Sequence, residues 1–92
     1  MRIRWTDAAA QDLIAICDYT QEHHGVAQAR QTAVRIVERI DSLHNFPRKG
    51  RLGRKADTRE LVLTNLPFLA VYRVRENLIE VIRILHGAQR WP

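Results

Sequence analysis

Hydrophobic side chains in the first part of the chain follow a strand period and then a helical one. Residues 1–5 alternate between polar and apolar side chains, which is typical of a short strand. From Thr6 to Gly25 the apolar positions recur at helical spacing and predict one amphipathic helix. A side-chain oxygen of Thr6 or Asp7 can cap its first turn, and Gly25 can end it with a positive φ. The members of this stripe are Ala9, Leu13, Ile16, Cys17 and Thr20.

A second helical stripe begins at Val26 and ends at Phe46-Pro47, because proline cannot continue a helix. The connection at Gly25 is short, so the two helices are expected to form an antiparallel hairpin. The stretch 48–58 has no apolar period and holds two of the four glycines, which predicts a loop. The apolar members of the second stripe are Ala29, Ala33, Ile36, Val37, Ile40 and Leu43.

Three apolar runs with β character follow, at residues 59–63, 68–74 and 78–86. Short links between them favour an antiparallel meander. The order β-α-α-β-β-β then predicts an α+β fold, with the helical hairpin packed on one face of a small twisted antiparallel sheet. The chain of 92 residues is expected to form a single domain, residues 1–92.

Charge is concentrated in the second half of the chain. The formal net charge is +5, but residues 1–47 carry five arginines against six acids, so the excess lies after Pro47. Thirteen of the fifteen cations are arginine, which suits bidentate contact with phosphate or carboxylate. The second half is therefore predicted to meet an anionic partner, either a nucleic acid or an acidic protein segment.

The residue inventory argues against several kinds of site. The single Cys17 permits neither an internal disulfide nor a thiolate metal site. The glycine spacing admits no phosphate-cradling loop and no dinucleotide fingerprint, and the four histidines lack supporting cysteines. No cofactor and no metal is therefore predicted. Because no apolar run approaches the roughly 20 residues of a membrane helix, we expect a soluble, cytoplasmic protein without membrane contact.

Two arginines within the apolar runs, Arg73 and Arg83, require either an open sheet face or a charged partner. The hairpin register decides whether they share a face. If Arg75 lies opposite Leu78, Arg73 pairs instead with Glu80. A register shifted by one residue places Arg73 and Arg83 together. The alternative to an open face makes both arginines internal ion-pair partners, with Glu60 and Glu80 as the candidate carboxylates.

Three other features stay open to two interpretations each. The basic loop that contains Arg51 and Arg54 is either solvated or contacts phosphate without sequence preference. His86 either acts as a general acid or base, or fixes the C-terminal tail through a hydrogen bond. Trp91 either fills the core beside the sheet or anchors a partner. The residues predicted to bind a target or partner are Arg51, Arg54, Arg59, Tyr72, Arg73, Arg83, His86, Arg90 and Trp91.

Several segments stand in a characteristic order: Trp5-Thr6, Asp12-Leu13, Tyr19, Phe46-Pro47, and the stretches 59–62, 71–74 and 82–92. Together they resemble the RelE/ParE superfamily of bacterial toxins, over essentially the whole chain. The resemblance implies a growth-inhibiting toxin of a type II toxin-antitoxin module, the kind associated with plasmid stabilisation. It also implies a cognate antitoxin, acidic and with a DNA-binding N-terminal half, through which alone the toxin would reach operator DNA.

The superfamily has two mechanistic branches, and the resemblance is closer to the ParE-like one. RelE-like members cleave messenger RNA on the ribosome and typically carry an arginine where this chain has Leu69; lysines of their preceding strand fall at Glu60 and Val62. A ParE-like toxin that poisons DNA gyrase by binding, with no catalytic residues, is therefore favoured. The alternative is an mRNA endoribonuclease that uses His86 with Arg83 or Arg73. A second alternative, from charge alone, is a non-toxic nucleic-acid-binding module.

Overall fold

The computed structural model describes residues 1–87, 89 and 91–92 of the chain. Within these residues two helices and five strands follow one another in the predicted α+β order, with one short strand added. In chain order the elements are β1 (Arg2–Trp5), α1 (Asp7–His24), α2 (Val26–Asp41), a 3-10 turn (Ser42–His44), β2 (Arg51–Leu52), β3 (Arg59–Val62), β4 (Phe68–Arg75) and β5 (Leu78–His86).

The boundaries of α1 follow the sequence signals. The Thr6 side chain accepts a hydrogen bond from the Ala9 N–H at 3.1 Å, which satisfies a donor of the first turn. Gly25 ends the helix with a φ of 89°, a conformation that favours glycine, and α2 begins at the next residue. α2 ends at Asp41, earlier than Phe46, because the tighter 3-10 turn takes over.

The sheet has the strand order β1-β5-β4-β3-β2 within the described residues. β2, β3, β4 and β5 pair antiparallel, as predicted, whereas β1 runs parallel to β5 and makes the sheet mixed. The expectation of a wholly antiparallel sheet was therefore wrong for β1. The connection between β1 and β5, residues 6–77, is long enough for the crossover that parallel neighbours require, and it includes the helical hairpin. The stretch predicted as a loop contains β2, a strand of two residues.

The core lies between the helical hairpin and one face of the sheet. Because side chains alternate along a strand, the other set of strand positions forms a second face, here called the outer face. Its positions on β1, β4 and β5 include Arg2, Arg4, Arg73, Arg75 and Glu80, as the register of the pairs shows. The buried core cluster includes Ala9, Ile36, Ile40, Leu43, Leu61, Leu63, Ala70, Tyr72, Ile79, Val81 and Ile84.

The pairing of β4 with β5 shows which of the two possible hairpin registers is present. Arg75 lies opposite Leu78 and Arg73 opposite Glu80. The pairing shifts by one residue between Val71 and Tyr72, which is the irregularity that a β-bulge produces. Beyond that shift Arg83 lies opposite Val71, so the simple alternation that the sequence analysis assumed does not hold along β5.

Candidate functional site

Arg73 on the outer face belongs to a charged row that crosses three strands. Its Nε lies 3.6 Å from Glu80 Oε1, and Arg4 on β1 donates to Glu80 Oε2 at 2.7 Å. The hydrogen bond from Arg4 is the main cause that lowers the pKa of the Glu80 carboxyl, and the charges of Arg73 and Arg75 add to it. Glu80 is therefore a carboxylate that orients two arginines on this face.

Arg83 is held by the first helix rather than by a strand carboxylate. Its Nε and Nη2 donate to the two oxygens of Asp12 at 2.7 and 2.9 Å, and the same contact raises the pKa of Arg83. Asp12 Oδ2 also accepts the Ile84 N–H at 2.9 Å. Arg73 and Arg83 are thus internal ion-pair partners, but Arg83 pairs with Asp12 and not with Glu60 or Glu80.

Tyr72 lies in the core and not on the predicted binding surface, so this part of the prediction is wrong. Its side chain is fully buried; the hydroxyl donates to the Pro47 carbonyl at 2.8 Å and accepts the Gly50 N–H at 2.9 Å. Burial is the main cause that raises the pKa of the Tyr72 phenol, although the hydrogen bond from Gly50 and the Arg59 charge lower it. Tyr72 therefore fixes the start of the basic segment 48–55 against the sheet.

Arg59 has a similar structural role. Its Nη1 donates to the Gly50 carbonyl at 2.8 Å and lies 3.3 Å from the Arg48 carbonyl. Because Arg59 lies opposite Tyr72 in the β3–β4 register, the two side chains hold the same turn from neighbouring strands. Because the guanidinium already donates to backbone carbonyls, only some of its N–H groups remain for an external anion.

The basic segment and the C-terminal tail enclose a small cavity of about 130 Å³ on the outer face. Arg51 is neutralised there by Glu60, with an Nη2–Oε1 distance of 3.0 Å, whereas Arg54 is exposed. Lys55 Nζ lies 5.9 Å from the Trp91 ring centroid, which places the half-buried tryptophan beside the basic segment. Arg90, a further predicted residue, lies outside the described residues. The lining residues are Arg51, Arg54, Glu60, Leu69, Leu85, Gly87, Gln89 and Trp91.

His86 is exposed at the end of β5, opposite Phe68, and the two rings meet edge to face with centroids 6.0 Å apart. Its backbone N–H donates to Gln89 Oε1 at 2.7 Å. Phe68 packs against the helix-side core, whereas Arg73 lies in the outer-face row with Glu80. The structure therefore does not join His86 and Arg73 into one acid-base and cation constellation.

A groove of about 750 Å³ between the helical hairpin and the β3–β4 link was not predicted from the sequence. Tyr19 stands at its edge, 61% exposed, and stacks on His23 with ring centroids 4.1 Å apart. No local pattern reveals this groove, because residues from α1, α2, β4 and β5 meet there only after folding. The lining includes the apolar Ile16, Leu66 and Phe68 and the polar His24, Gln28, Arg35 and His86.

The part of the chain that the structure describes offers neither a metal-binding cluster nor a helix that could span a membrane. No three His, Cys, Asp or Glu side chains in these residues cluster closely enough to hold a metal ion. Neither α1 nor α2, the helices within this part, is long and apolar enough to cross a membrane.

Similarity to known proteins extends over nearly the whole chain. Residues 3–91 match the family described as "ParE toxin of type II toxin-antitoxin system, parDE". The chain belongs to this family. The resemblance to RelE/ParE toxins found in the sequence is confirmed, and the protein is a toxin of a type II toxin-antitoxin system.

Two individual toxins and one solved structure are also similar to this chain over nearly its whole length. The ParE-family chain is 40% identical over 91 residues to the putative toxin Y4kP of Sinorhizobium fredii, covering 99% of this chain and 93% of the relative. It is 38% identical over 88 residues to the toxin RelE2 of Caulobacter vibrioides, covering 96% and 97%. A chain in the solved structure titled "Chromosomal ParDE TA system from P. aeruginosa" superimposes with a TM-score of 0.88 at 33% identity, covering 94% of this chain and 95% of that chain.

Proposed function

We propose that this ParE-family toxin arrests growth by binding DNA gyrase and not by cutting RNA. The observation that carries the proposal is the chemistry of the outer face at Leu69. Leu69 lies between Val62 on β3 and Leu85 on β5 in the register of the sheet, so the row is apolar. A phosphorane intermediate requires cationic or hydrogen-bonding groups at such a position, and leucine supplies neither.

The neighbouring cations support the same proposal. Arg51 is paired with Glu60, and Arg83 with Asp12, so their charge is already engaged within the fold. Stabilising the negative charge of an RNA cleavage step needs pre-organised donors directed at the reacting phosphate. An apolar row next to arginines that are already paired suits docking to a protein surface better than bond breaking.

The proposal is tested in a DNA supercoiling assay. Purified toxin is added at increasing concentration to gyrase, relaxed plasmid and ATP, and the products are resolved before and after treatment with detergent and protease. We expect inhibited supercoiling or trapped cleaved DNA. The control is toxin denatured by heat, at the same concentration. Normal supercoiling with a large excess of folded toxin would overturn the proposal.

Messenger RNA cleavage is the second candidate, because one relative at 38% identity carries the name toxin RelE2. His86 is the residue to test, since it is exposed at the end of β5. If the toxin is a nuclease, His86→Ala abolishes ribosome-dependent cleavage of a reporter mRNA, while circular dichroism shows that the variant is still folded. Intact mRNA in the presence of the wild-type toxin and translating ribosomes rejects this candidate.

A cognate antitoxin is proposed to neutralise the toxin, and the groove between the helical hairpin and the β3–β4 link supports a docking place for it. An amphipathic segment can place apolar residues against Leu66 and Phe68 and acidic residues beside Arg35 at the rim. In this proposal the antitoxin is acidic, binds operator DNA with its N-terminal half, and acts with the toxin in the cytoplasm. Arrest of cells that lose the antitoxin gene would stabilise a plasmid that carries the pair.

A further inference from the structure

Four arginines converge on the outer face at the β4–β5 turn end of the sheet. Arg4 on β1 and Arg73 on β4 flank Glu80 on β5, and in the next row Arg2 and Arg75 flank Leu78. We call Arg2, Arg4, Arg73 and Arg75 the arginine cluster. Its members come from distant parts of the chain, and the parallel pairing of β1 with β5 brings Arg2 and Arg4 onto the same face as Arg73 and Arg75.

The cluster carries more positive charge than the fold neutralises. Within the described residues Glu80 is the carboxylate that forms ion pairs with it, at 2.7 Å to Arg4 and 3.6 Å to Arg73. Arg2 and Arg75 are exposed and form no ion pair in that part of the chain. Arg73 Nε has no hydrogen-bond acceptor there, because 3.6 Å is too long for one. Cationic donors therefore exceed anionic acceptors on this face.

The dimensions of the cluster fit a nucleic-acid backbone. Residues two apart on a strand are about 7 Å apart, and β1 and β4, separated by β5, lie about 10 Å apart. A surface of this size meets two or three successive phosphates of one strand, which rise by about 3.4 Å each. Arginine binds phosphate in a bidentate manner and stays charged at every physiological pH.

An acidic protein segment would need apolar anchors that the cluster does not offer. Tight peptide docking depends on a few apolar or aromatic side chains seated in pockets. The apolar neighbour of the cluster is Leu78, which is half-buried, and the apolar row at Leu69 lies farther along the same face. The groove with Leu66 and Phe68 is formed by the helix side, on the other face of the sheet. A contact made mainly by charge is characteristic of sequence-independent phosphate binding.

We propose that the arginine cluster binds the phosphate backbone of duplex DNA without sequence preference. The toxin would then contribute a direct DNA contact of its own, in addition to any contact that its antitoxin makes. This inference does not depend on the proposed gyrase target. If the toxin does not inhibit supercoiling, the proposal that the arginine cluster binds DNA is unaffected. If the cluster does not bind DNA, the proposal of gyrase inhibition is unaffected.

The experiment measures binding of the purified full chain to a fluorescent 20-base-pair duplex of arbitrary sequence between 50 and 200 mM salt. The test variant is Arg2→Gln/Arg75→Gln, which removes two exposed charges of the cluster. Each lost phosphate contact lowers the slope of log affinity against log salt by about 0.9. We therefore expect the slope to fall by about 2, and the loss of affinity across this salt range to become about tenfold smaller than in the wild type.

Three other variants make the result specific. Arg30→Gln/Arg35→Gln removes the same charge from the exposed side of α2 and should leave the slope near its wild-type value. Arg48→Gln/Arg54→Gln tests the basic segment at the opposite edge of the sheet. Glu80→Gln keeps the shape of the side chain but removes the competing carboxylate, so it should tighten DNA binding. Circular dichroism confirms that each variant is folded.

The outcomes either support the proposal or overturn it. A slope that falls only in the Arg2/Arg75 variant, with tighter binding by Glu80→Gln, supports it. A slope that falls only in the Arg48/Arg54 variant places the phosphate contact elsewhere and overturns it. Displacement of the DNA by polyglutamate as efficiently as by unlabelled duplex, at equal charge, also overturns it in favour of an acidic peptide partner.

Discussion

Asp12 and Arg83, 71 positions apart in the sequence, form a two-point ion pair that joins α1 to β5. β1 ends at Trp5, opposite Val81, so among the described residues no strand covers this edge of β5 beyond that point. At this uncovered edge the Asp12 carboxylate accepts hydrogen bonds from the Arg83 guanidinium and from the Ile84 N–H. One carboxylate thus replaces the missing strand and fixes the orientation of the helix.

Asp12→Ala should destabilise the fold by about 2 kcal/mol, because it leaves the Ile84 N–H and the guanidinium without their shared acceptor. Arg83→Ala should cost less, about 1 kcal/mol, since its side chain is 34% exposed and solvent screens the pair. Urea denaturation of both single variants and the double variant measures the coupling. A coupling below about 0.3 kcal/mol would show that the two side chains act independently.

Tyr72→Phe should lower the free energy of unfolding by about 1–3 kcal/mol, because the buried Gly50 N–H loses its acceptor. Gly50→Ala should destabilise the same contact from the other side: an added Cβ would lie 2.7 Å from a Tyr72 ring carbon and 2.9 Å from the Glu60 carbonyl oxygen. Tyr19→Phe, which removes an exposed hydroxyl, is the matched control. Equal denaturation midpoints for Tyr72→Phe and Tyr19→Phe would contradict this prediction.

Stability should fall at acidic pH partly through Glu80. The Arg4 hydrogen bond holds the pKa of Glu80 below its ordinary value in the folded state, so the unfolded state binds the proton more readily. The stabilisation is present above the unfolded glutamate pKa of about 4.3 and is lost as the pH falls through the lower folded value. Thermal denaturation between pH 7 and pH 2 should therefore show a smaller decline for Glu80→Gln than for the wild type. Identical pH profiles would mean that the Arg4 contact does not influence folding.

Antitoxin binding should depend on Tyr19 if the groove is its docking place. Tyr19→Ala removes an exposed aromatic side chain at the groove edge, and we expect at least a tenfold loss of affinity for the cognate antitoxin, the magnitude typical of an interface aromatic. Val34→Ala is the matched control, since Val34 is 50% exposed on α2 and does not line the groove. Isothermal titration calorimetry with the purified partners gives both values. Equal affinities of the two variants would place the antitoxin on another surface.

Local signals in the sequence were sufficient for the helices and the β3–β5 meander. The helical period between Thr6 and Gly25 and the capping residues at its ends depend on residues within a few positions of one another. The apolar runs and their short links likewise specify antiparallel neighbours without knowledge of the rest of the chain. These parts of the fold, and with them the α+β class, could be predicted correctly.

The parts that could not be predicted depend on distant pairings. The parallel partner of β1 is set by contacts such as Arg4 with Glu80, 76 positions away. The one-residue shift beside Val71 changes the position of Arg83, and alternation alone does not reveal it. Tyr72 looks like a surface residue among arginines, yet its strand position directs it into the core. In the sequence Asp12 cannot be distinguished from the other acidic residues of α1, because its partners Arg83 and Ile84 on β5 come near it only in the folded chain.

The position of β5 bears on when the toxin can become active during its synthesis. β5 lies between β1 and β4 in the sheet, but it is translated after every other strand of the described chain. Until Leu78–His86 have left the ribosome, β1 has no strand to pair with and Asp12 no arginine to bind. A nascent or prematurely terminated chain that lacks β5 therefore cannot complete this sheet, and the described fold can form only after most of the message has been translated.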